Sequence, residues 1–388
     1  VVASLNTKTG GPSVSVSSLA RELARLGQKQ KLVSYDYSEH GPTIKIEGVE
    51  QTTLPANFIA RYLRGWSPEF EKNILALATS SDLVHNHGIW MFPNHYAAKA
   101  ARQRRKPLVT SPRGMLGTWA LSYHSLPKKI LWSLREKNDL RNVTAFHATS
   151  QVEADDIRRL GFAQPIAVIP NGVDLPTSQG LARKDLEKEL PSLQGRRLAL
   201  FISRIHPKKG LLELVDAWAA LPMELHTEWA LLIAGPDLTN HLVRVEARIL
   251  ARAMEKSILL HPPVTGLLKQ TLLKQAELFI LPSHEENFGI VVAEALAHGT
   301  PVITTHGTPW EILNHNKCGW WIPMSVDSLR QTLATALLLP PPALAAMGLA
   351  GKDYTSLELS WSAIAQKMSL FYAWILNGGP PPSFVRTD

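Results

Sequence analysis

The sequence predicts an α/β protein of two domains, each an open, mostly parallel sheet covered by helices. Three observations predict it. Short β-type runs alternate with helical patterns from end to end, the pattern of α/β chains. The 388 residues are too many for one core. Apolar residues make up 45%, which suits a soluble globular protein and is too high for disorder.

Taken in order, the chain opens in Val1-Val2-Ala3, apolar and without Met. It reads as a first strand already under way, a few of whose residues lie outside the sequence. The strands of the first half are Lys31–Asp36, Asp82–Asn86, Pro107–Thr110, Thr144–Ala148 and Ile166–Ile169. Helices lie between them, among them Ser13–Leu26 and Ser150–Leu160; Ser150 is a good N-cap and Glu153 completes a capping box. Ile169-Pro170-Asn171-Gly172-Val173-Asp174 reads as a turn after a strand and marks the seam, so the domains are 1–174 and 175 onward. Leu175–Gly195 is polar and helical at most. Arg197 begins a second regular unit with strands Leu198–Ser203, Trp229–Ala234, Ile258–Leu260, Leu278–Pro282 and Pro301–Thr304. Pro340, Pro341 and Pro342 are expected to break the helices near the end. An amphipathic helix over Leu357–Leu376 and a Pro/Gly-rich tail, Gly378–Pro382, follow.

Cys318 is the only cysteine, which rules out an internal disulfide and fits a reducing cytoplasm. Apolar runs such as the one ending at Leu281 are too short to span a bilayer, and no secretory signal is visible. The net charge of +8 is local. Residues 1–180 hold 22 Lys and Arg against 14 Asp and Glu, and the rest of the chain balances 19 against 19. Residues 99–141 alone hold 11 basic and 2 acidic side chains, including Arg102, Arg104, Arg105, Lys106, Lys128, Lys129, Arg135 and Lys137. Ile130, Leu131, Trp132 and Leu134 interleave with the second cluster. Such a segment suits an anionic membrane surface; an ordinary helix with an apolar face on the sheet is the alternative. No nucleic-acid-binding motif accompanies it, so nucleic acid is not expected as a partner.

Ser283-His284-Glu285-Glu286-Asn287-Phe288-Gly289-Ile290-Val291-Val292-Ala293-Glu294 follows the apolar strand Leu278–Leu281 and opens a helix ending at His298-Gly299. Ligands of open α/β sheets bind at the carboxyl ends of strands. Gly289 permits close backbone approach, and the first helical turn offers free N–H groups to an anion. Glu286 and Glu294 would then flank a diphosphate and accept from hydroxyls of two sugar rings. The alternative is an amphipathic core helix with a solvated Glu.

In Phe201-Ile202-Ser203-Arg204-Ile205-His206-Pro207-Lys208-Lys209-Gly210 a strand ends in Arg, and two Lys precede the helix Leu211–Ala220. Arg204 and Lys209 can converge on phosphate oxygens, Arg as a fork and Lys as a point charge; a solvated basic turn is the alternative. Gly10-Gly11 before a helix suits a phosphate or a close-packed ligand but lacks the full dinucleotide fingerprint. In the strand-end loops His85-Asn86-His87-Gly88-Ile89-Trp90 and Ser111-Pro112-Arg113-Gly114, His87 could position a sugar hydroxyl, and Trp90 or Trp119 could stack on a sugar face. His85 and His87 lack a third ligand nearby for a metal.

Together these segments resemble the retaining glycosyltransferases of family 4, with the GT-B fold of two Rossmann-like domains facing across a cleft. The marks are the Glu286/Glu294 pair, Arg204 with Lys209-Gly210, Ile169–Asp174, Gly10-Gly11, and Ala234-Gly235 after a strand. Ser111-Pro112-Arg113-Gly114-Met115-Leu116…Trp119-Ala120-Leu121 and the Trp361…Tyr372…Trp374 helix are similar to a bacterial surface-polysaccharide subgroup. The resemblance implies that about 362–388 crosses back onto the first domain, leaving 175–361 as the second. It implies a nucleoside-diphosphate sugar as donor and a glycan or lipid-linked saccharide as acceptor. Glu286 would contact the donor hexose and Glu294 the ribose. Arg204 and Lys209 would neutralise the departing diphosphate, helped by Gly10, Gly11, Asn287 and the amides of Phe288, Gly289 and Ile290. The first domain would hold acceptor near Trp90, Arg113 and Trp119. Arg113 stands where many relatives carry His, which leaves the catalytic His role to His87. Pro12-Ser13 stands where a third small residue is common.

No Asp-x-Asp occurs in the sequence, so fixed cations and a helix N-terminus, rather than a metal or other cofactor, are expected to take the leaving-group charge. A hexosyltransferase at the cytoplasmic side of a membrane is therefore expected. An epimerase or hydrolase on the same architecture, and a non-catalytic nucleotide-sugar binding protein, are the competing readings.

Overall fold

The structure, a computed structural model, describes residues 1–122, 131–177 and 180–388, apart from the side chains of Trp119 and Ser122. Its strands in chain order are β1 (Gln30–Asp36), β2 (Val49–Pro55), β3 (Val84–His87), β4 (Leu108–Ser111), β5 (Ala145–Ala148), β6 (Ile166–Val168), β7 (Arg197–Ile202), β8 (Trp229–Ala234), β9 (Ile258–His261), β10 (Leu278–Leu281), β11 (Val302–Thr305), β12 (Gly319–Ile322) and β13 (Val385–Arg386). The helices that matter below are α1 (Gly11–Arg25), α2 (Leu211–Ala219), α3 (Gly266–Gln275), α4 (Ile290–Ala297) and α5 (Trp361–Asn377). The chain divides into two compact units, Val1–Gly172 with Trp361–Asp388, and Val173–Ser360.

In the second unit six parallel strands run in the order β12-β11-β10-β7-β8-β9. Strands β7, β8 and β10 are near-continuous apolar runs because helices cover both faces of the sheet. Burying each large aliphatic side chain there stabilises the unit by about 1.5–3 kcal/mol before chain entropy is counted. The chain leaves β7 toward β8 and β9, then returns to the other side of β7 to lay down β10. The order therefore reverses between β7 and β10, and open α/β sheets bind ligands at such a point.

In the first unit β13-β6-β5-β4-β3 form one sheet and β1-β2 a parallel pair. Residues 1–4 run between β1 and β3: Val2 bridges His87 and Ser4 bridges Tyr35, both in parallel. This opening segment thus occupies a strand position at the reversal of strand order, with β1 and β2 on one side and β3 to β6 on the other. Helix α1 carries Val16, Leu19, Ala20 and Leu23 on one buried stripe. Leu19 and Leu23 share a core with Ile364, Ala365, Met368 and Phe371 of α5.

Three features differ from expectation. The prolines at 340–342 open a helix, Pro341–Tyr354, rather than only interrupting one, because a proline in the first turn gives up an N–H that has no partner anyway. The last helix starts at Trp361, after a π-helical turn over Thr355–Leu359. Strand β2 is a polar edge strand with no fully buried residue and lacks the apolar signal of its neighbours.

Candidate active site

The loops after β7 and β10 meet at the reversal point of the second sheet. Gly210 has φ 63°, and a Cβ there would stand 2.1 Å from the Pro282 carbonyl oxygen, so the loops approach as closely as backbone allows. The Lys208 carbonyl accepts from the His284 amide at 2.8 Å and the Ser283 hydroxyl at 3.0 Å. An ion pair of 3.5 Å joins Lys208 to Glu285.

At the centre the Lys209 ammonium contacts the Glu286 carboxylate. Lys209 is only 6% exposed. Burial, with Arg204 and Lys208 nearby, draws its pKa down to about 7, while the Glu286 carboxylate works to keep it charged. The Glu286 amide donates to the Gly307 carbonyl at 2.7 Å, which seats the residue on the loop after β11. Arg204 is exposed, and among the described residues its side chain makes no hydrogen bond or ion pair. This site holds its buried lysine in a pair and leaves a second, exposed cation available to an anion.

Gly289 caps α4 in the left-handed region, φ 75°, and has no side chain of its own to cap the first turn. Among the described residues the amides of Phe288, Gly289 and Ile290 donate to no backbone carbonyl. The Trp310 indole donates to the Phe288 carbonyl at 2.6 Å and packs on the Phe288 ring, holding this turn from beneath. Asn287 is partly exposed beside them. One turn into α4, both Glu294 oxygens accept from Lys269 of α3 at 2.7 Å. Sequence reading missed Lys269. It lies 25 positions from Glu294, and nothing local signals the pairing.

In the first unit Gly10 and Gly11 open α1, Gly10 with φ 97°, and both are exposed. His87 ends β3 and is 8% exposed. Its Nδ1 accepts from Arg113 at 3.1 Å, and the other arm of Arg113 donates to Asn171 at 2.6 Å. These three therefore form one group, joining strand ends of β3, β4 and β6. Trp90 needs correction as a sugar-stacking residue. It is 7% exposed, lies in the core beside Trp132, and its backbone is tied to Arg135 and Glu136. Its face is used for packing. The Trp119 side chain lies outside the described part. So do Lys128, Lys129 and Ile130 of the basic segment, whose remaining residues include the exposed Arg102, Arg104 and Arg105.

A family model described as "Glycosyltransferase Family 4" matches residues 9–176, and one described as "Glycosyl transferases group 1" matches residues 182–353. The chain is 30% identical over 323 residues to the D-inositol 3-phosphate glycosyltransferase of Xylanimonas cellulosilytica, spanning 76% of this chain and 75% of that protein. It is 25% identical over 306 residues to the GDP-mannose:cellobiosyl-diphosphopolyprenol alpha-mannosyltransferase of Xanthomonas campestris, spanning 77% and 76%. Among solved structures, Anabaena HepE in complex with UDP and glucose aligns with TM-score 0.71 at 18% identity, over 95% of this chain and 97% of that one. WaaG, a glycosyltransferase of lipopolysaccharide biosynthesis, aligns with TM-score 0.67 at 16% identity, over 98% and 100%. These likenesses show the GT-B fold, with two Rossmann-like domains.

Proposed function

We infer the function from one premise: this chain belongs to glycosyltransferase family 4. It is a glycosyltransferase. We propose that it moves a hexose from a nucleoside-diphosphate sugar to a glycan or lipid-linked saccharide, with retention, in building a surface polysaccharide. The observation that carries the reading is the contact of Lys209 with Glu286 at the reversal point of the second sheet, beside an unpaired Arg204 and an uncapped α4. The relatives' names support the substrate classes: one uses GDP-mannose and a diphosphopolyprenol-linked acceptor, and one solved neighbour binds UDP and glucose.

In this reading the second unit binds donor. Arg204, Lys209 and the α4 amides receive the diphosphate, Glu286 and Asn287 face the hexose, and Glu294, oriented by Lys269, takes the ribose hydroxyls. The first unit binds acceptor near Arg113 and His87. Negative charge grows on the diphosphate as the anomeric C–O bond breaks. Fixed cations and amides stabilise that charge without reorganising, so no metal is required. The acceptor oxygen bonds to the anomeric carbon on the face the phosphate leaves, and its proton passes to the departing phosphate oxygen. Residues 99–141 would hold the enzyme at an anionic cytoplasmic membrane surface; among the described residues no single helix is long and apolar enough to cross one. Flotation with anionic but not neutral liposomes is the expected behaviour.

The test is a panel of UDP-, GDP- and ADP-sugars, each with and without saccharide acceptors, in chelator, with product anomers read by NMR. Acceptor-dependent transfer with retention is expected. Consumption of donor to free sugar or an epimer, regardless of acceptor, would contradict the proposal.

A further inference from the structure

Two histidines and two hydroxyls of the first unit, on β3, β4, β5 and α5, form a hydrogen-bonded chain whose direction is set by the carbonyl on which it ends. His147 Nε2 lies 2.8 Å from the Ile169 carbonyl oxygen, which can only accept, so this nitrogen carries a proton. His147 Nδ1 lies 2.7 Å from the Ser111 hydroxyl. In a neutral ring that nitrogen is bare, so Ser111 spends its single proton on it. The Ser111 oxygen must then accept from His85 Nε2, also at 2.7 Å. His85 Nδ1 is left bare, and it accepts from the Tyr372 hydroxyl of α5 at 2.5 Å. The protons therefore run one way: Tyr372 to His85 to Ser111 to His147 to the Ile169 carbonyl.

The rings are held neutral by their setting. Ser111 and His147 are buried and His85 is partly so, and among the described residues the charged group that faces them is the Arg113 guanidinium; Tyr372 is a partly buried phenol. Burial, with the Arg113 guanidinium nearby, pushes His85 and His87 well below the ordinary histidine range and His147 down to about 3. Glu153, the carboxylate that acts on Arg113, is occupied by the amides of Gly114 and Thr149.

His87 stands on this chain. Its ring lies on that of His85, with centroids 4.0 Å apart. Arg113 can only donate, so its bond to His87 Nδ1 places the His87 proton on Nε2. Among the described residues Nε2 has no partner. We propose that Tyr372 is a positioning residue that, through the His85 ring and together with Arg113, holds His87 as a neutral Nε2–H donor for a substrate oxygen. The assignment makes His87 a hydrogen-bond donor and excludes it as a general base, since its one lone pair is already engaged. The substrate oxygen is a saccharide oxygen only if the glycosyl-transfer reading above is correct; the proton positions do not depend on it.

Histidine ring nitrogens report their protons directly in long-range 1H–15N spectra of the full chain, with signals assigned by single His→Gln variants. The expected spectrum at pH 7 shows His85, His87 and His147 all neutral with Nε2 protonated, unchanged at pH 6. Tyr372→Phe removes the donor to His85 Nδ1; the Nε2–H tautomer, which Ser111 sets, is expected to stay, while the Nδ1 signal moves toward that of an unbonded ring nitrogen. Transfer falls about tenfold in kcat/KM for acceptor, as for one lost hydrogen bond, with the KM for donor unchanged. Ser111→Ala cuts the chain at its middle without touching α5; His85 Nε2 loses its acceptor and, because the Tyr372 hydroxyl can donate or accept, His85 is expected to lose its fixed tautomer, a readout that also covers the case in which Tyr372→Phe misfolds. A His87 proton on Nδ1, a charged His87 at pH 7, a His85 tautomer indifferent to Ser111→Ala, or a His85 Nδ1 signal indifferent to Tyr372→Phe would overturn the proposal. The stated tautomers in a protein that transfers no sugar would support the chain and count against the glycosyltransfer reading instead.

Discussion

Lys209 and Glu286 lie 77 positions apart in the chain and touch in the fold. The contact exists because β7 and β10 are neighbours in the sheet although β8 and β9 separate them in sequence. Each side chain is largely buried, so each is the other's main compensation for lost hydration. An anionic donor arriving at the site changes that balance, since it adds a second negative partner for Lys209 and for the unpaired Arg204 beside it.

The pair makes separable predictions for stability and turnover. Lys209→Met leaves the Glu286 carboxylate without its partner and should lower stability by up to about 3–5 kcal/mol, less in so far as water reaches Glu286. Adding Glu286→Leu to the same chain should recover most of that loss, because neither charge is then left buried. Turnover should fall about 100–1000-fold in each single variant and should not return in the double variant. Thermal denaturation beside initial rates checks both halves.

The depressed Lys209 pKa sets a pH dependence with a definite sign. Between about 7 and the ordinary 10.5 the unfolded chain keeps a proton that the folded site releases, so this group's contribution to stability rises with pH across that window. Donor binding runs the other way, because the diphosphate needs the ammonium. The KM for donor should therefore climb as pH rises above about 7. In Lys209→Arg, whose cation does not titrate there, the climb should vanish. A profile unchanged by that substitution would remove Lys209 from the donor site.

Lys269 orients Glu294 from a neighbouring helix and should act on binding rather than on the bond-breaking step. Lys269→Ala should raise the KM for donor about tenfold with kcat within about twofold, the signature of an interaction made equally in ground and transition states. Lys269→Arg should restore much of the loss. Steady-state kinetics with varied donor separates this from a general loss of structure.

Trp90 should behave as a core residue. Trp90→Ala should cost about 3–5 kcal/mol of stability, and the protein that remains folded should keep its KM for acceptor. Equilibrium denaturation together with kinetics well below the lowered transition temperature distinguishes packing from sugar stacking.

How much of this was legible depends on the range of each interaction. The runs Leu198–Ile202, Trp229–Ala234 and Leu278–Leu281 are buried on both faces, so their apolar character alone announces strands. The placement of Glu286, Gly289 and Glu294 on a loop and helix after an apolar strand is legible because strand, loop and helix follow one another without interruption. Lys269 was not, since a pairing between two helices has no local signature. Tyr372 lies 287 positions from the histidine it serves, and only the return of α5 to the first unit brings them together. Trp90 misled for a different reason. A tryptophan after a strand suits a sugar platform and a core equally well, and the decision rests on whether Trp132 covers it, which periodicity does not reveal.

The central claim is that fixed cations and helix amides of the second unit receive the diphosphate of the donor. A crystal structure with a nucleoside diphosphate bound, grown in chelator, tests it most directly. The account predicts phosphate oxygens within hydrogen-bonding distance of the Arg204 guanidinium, the Lys209 ammonium and the Gly289 or Ile290 amide. A diphosphate bound elsewhere, or bound here with Arg204 and Lys209 turned away from it, would contradict it.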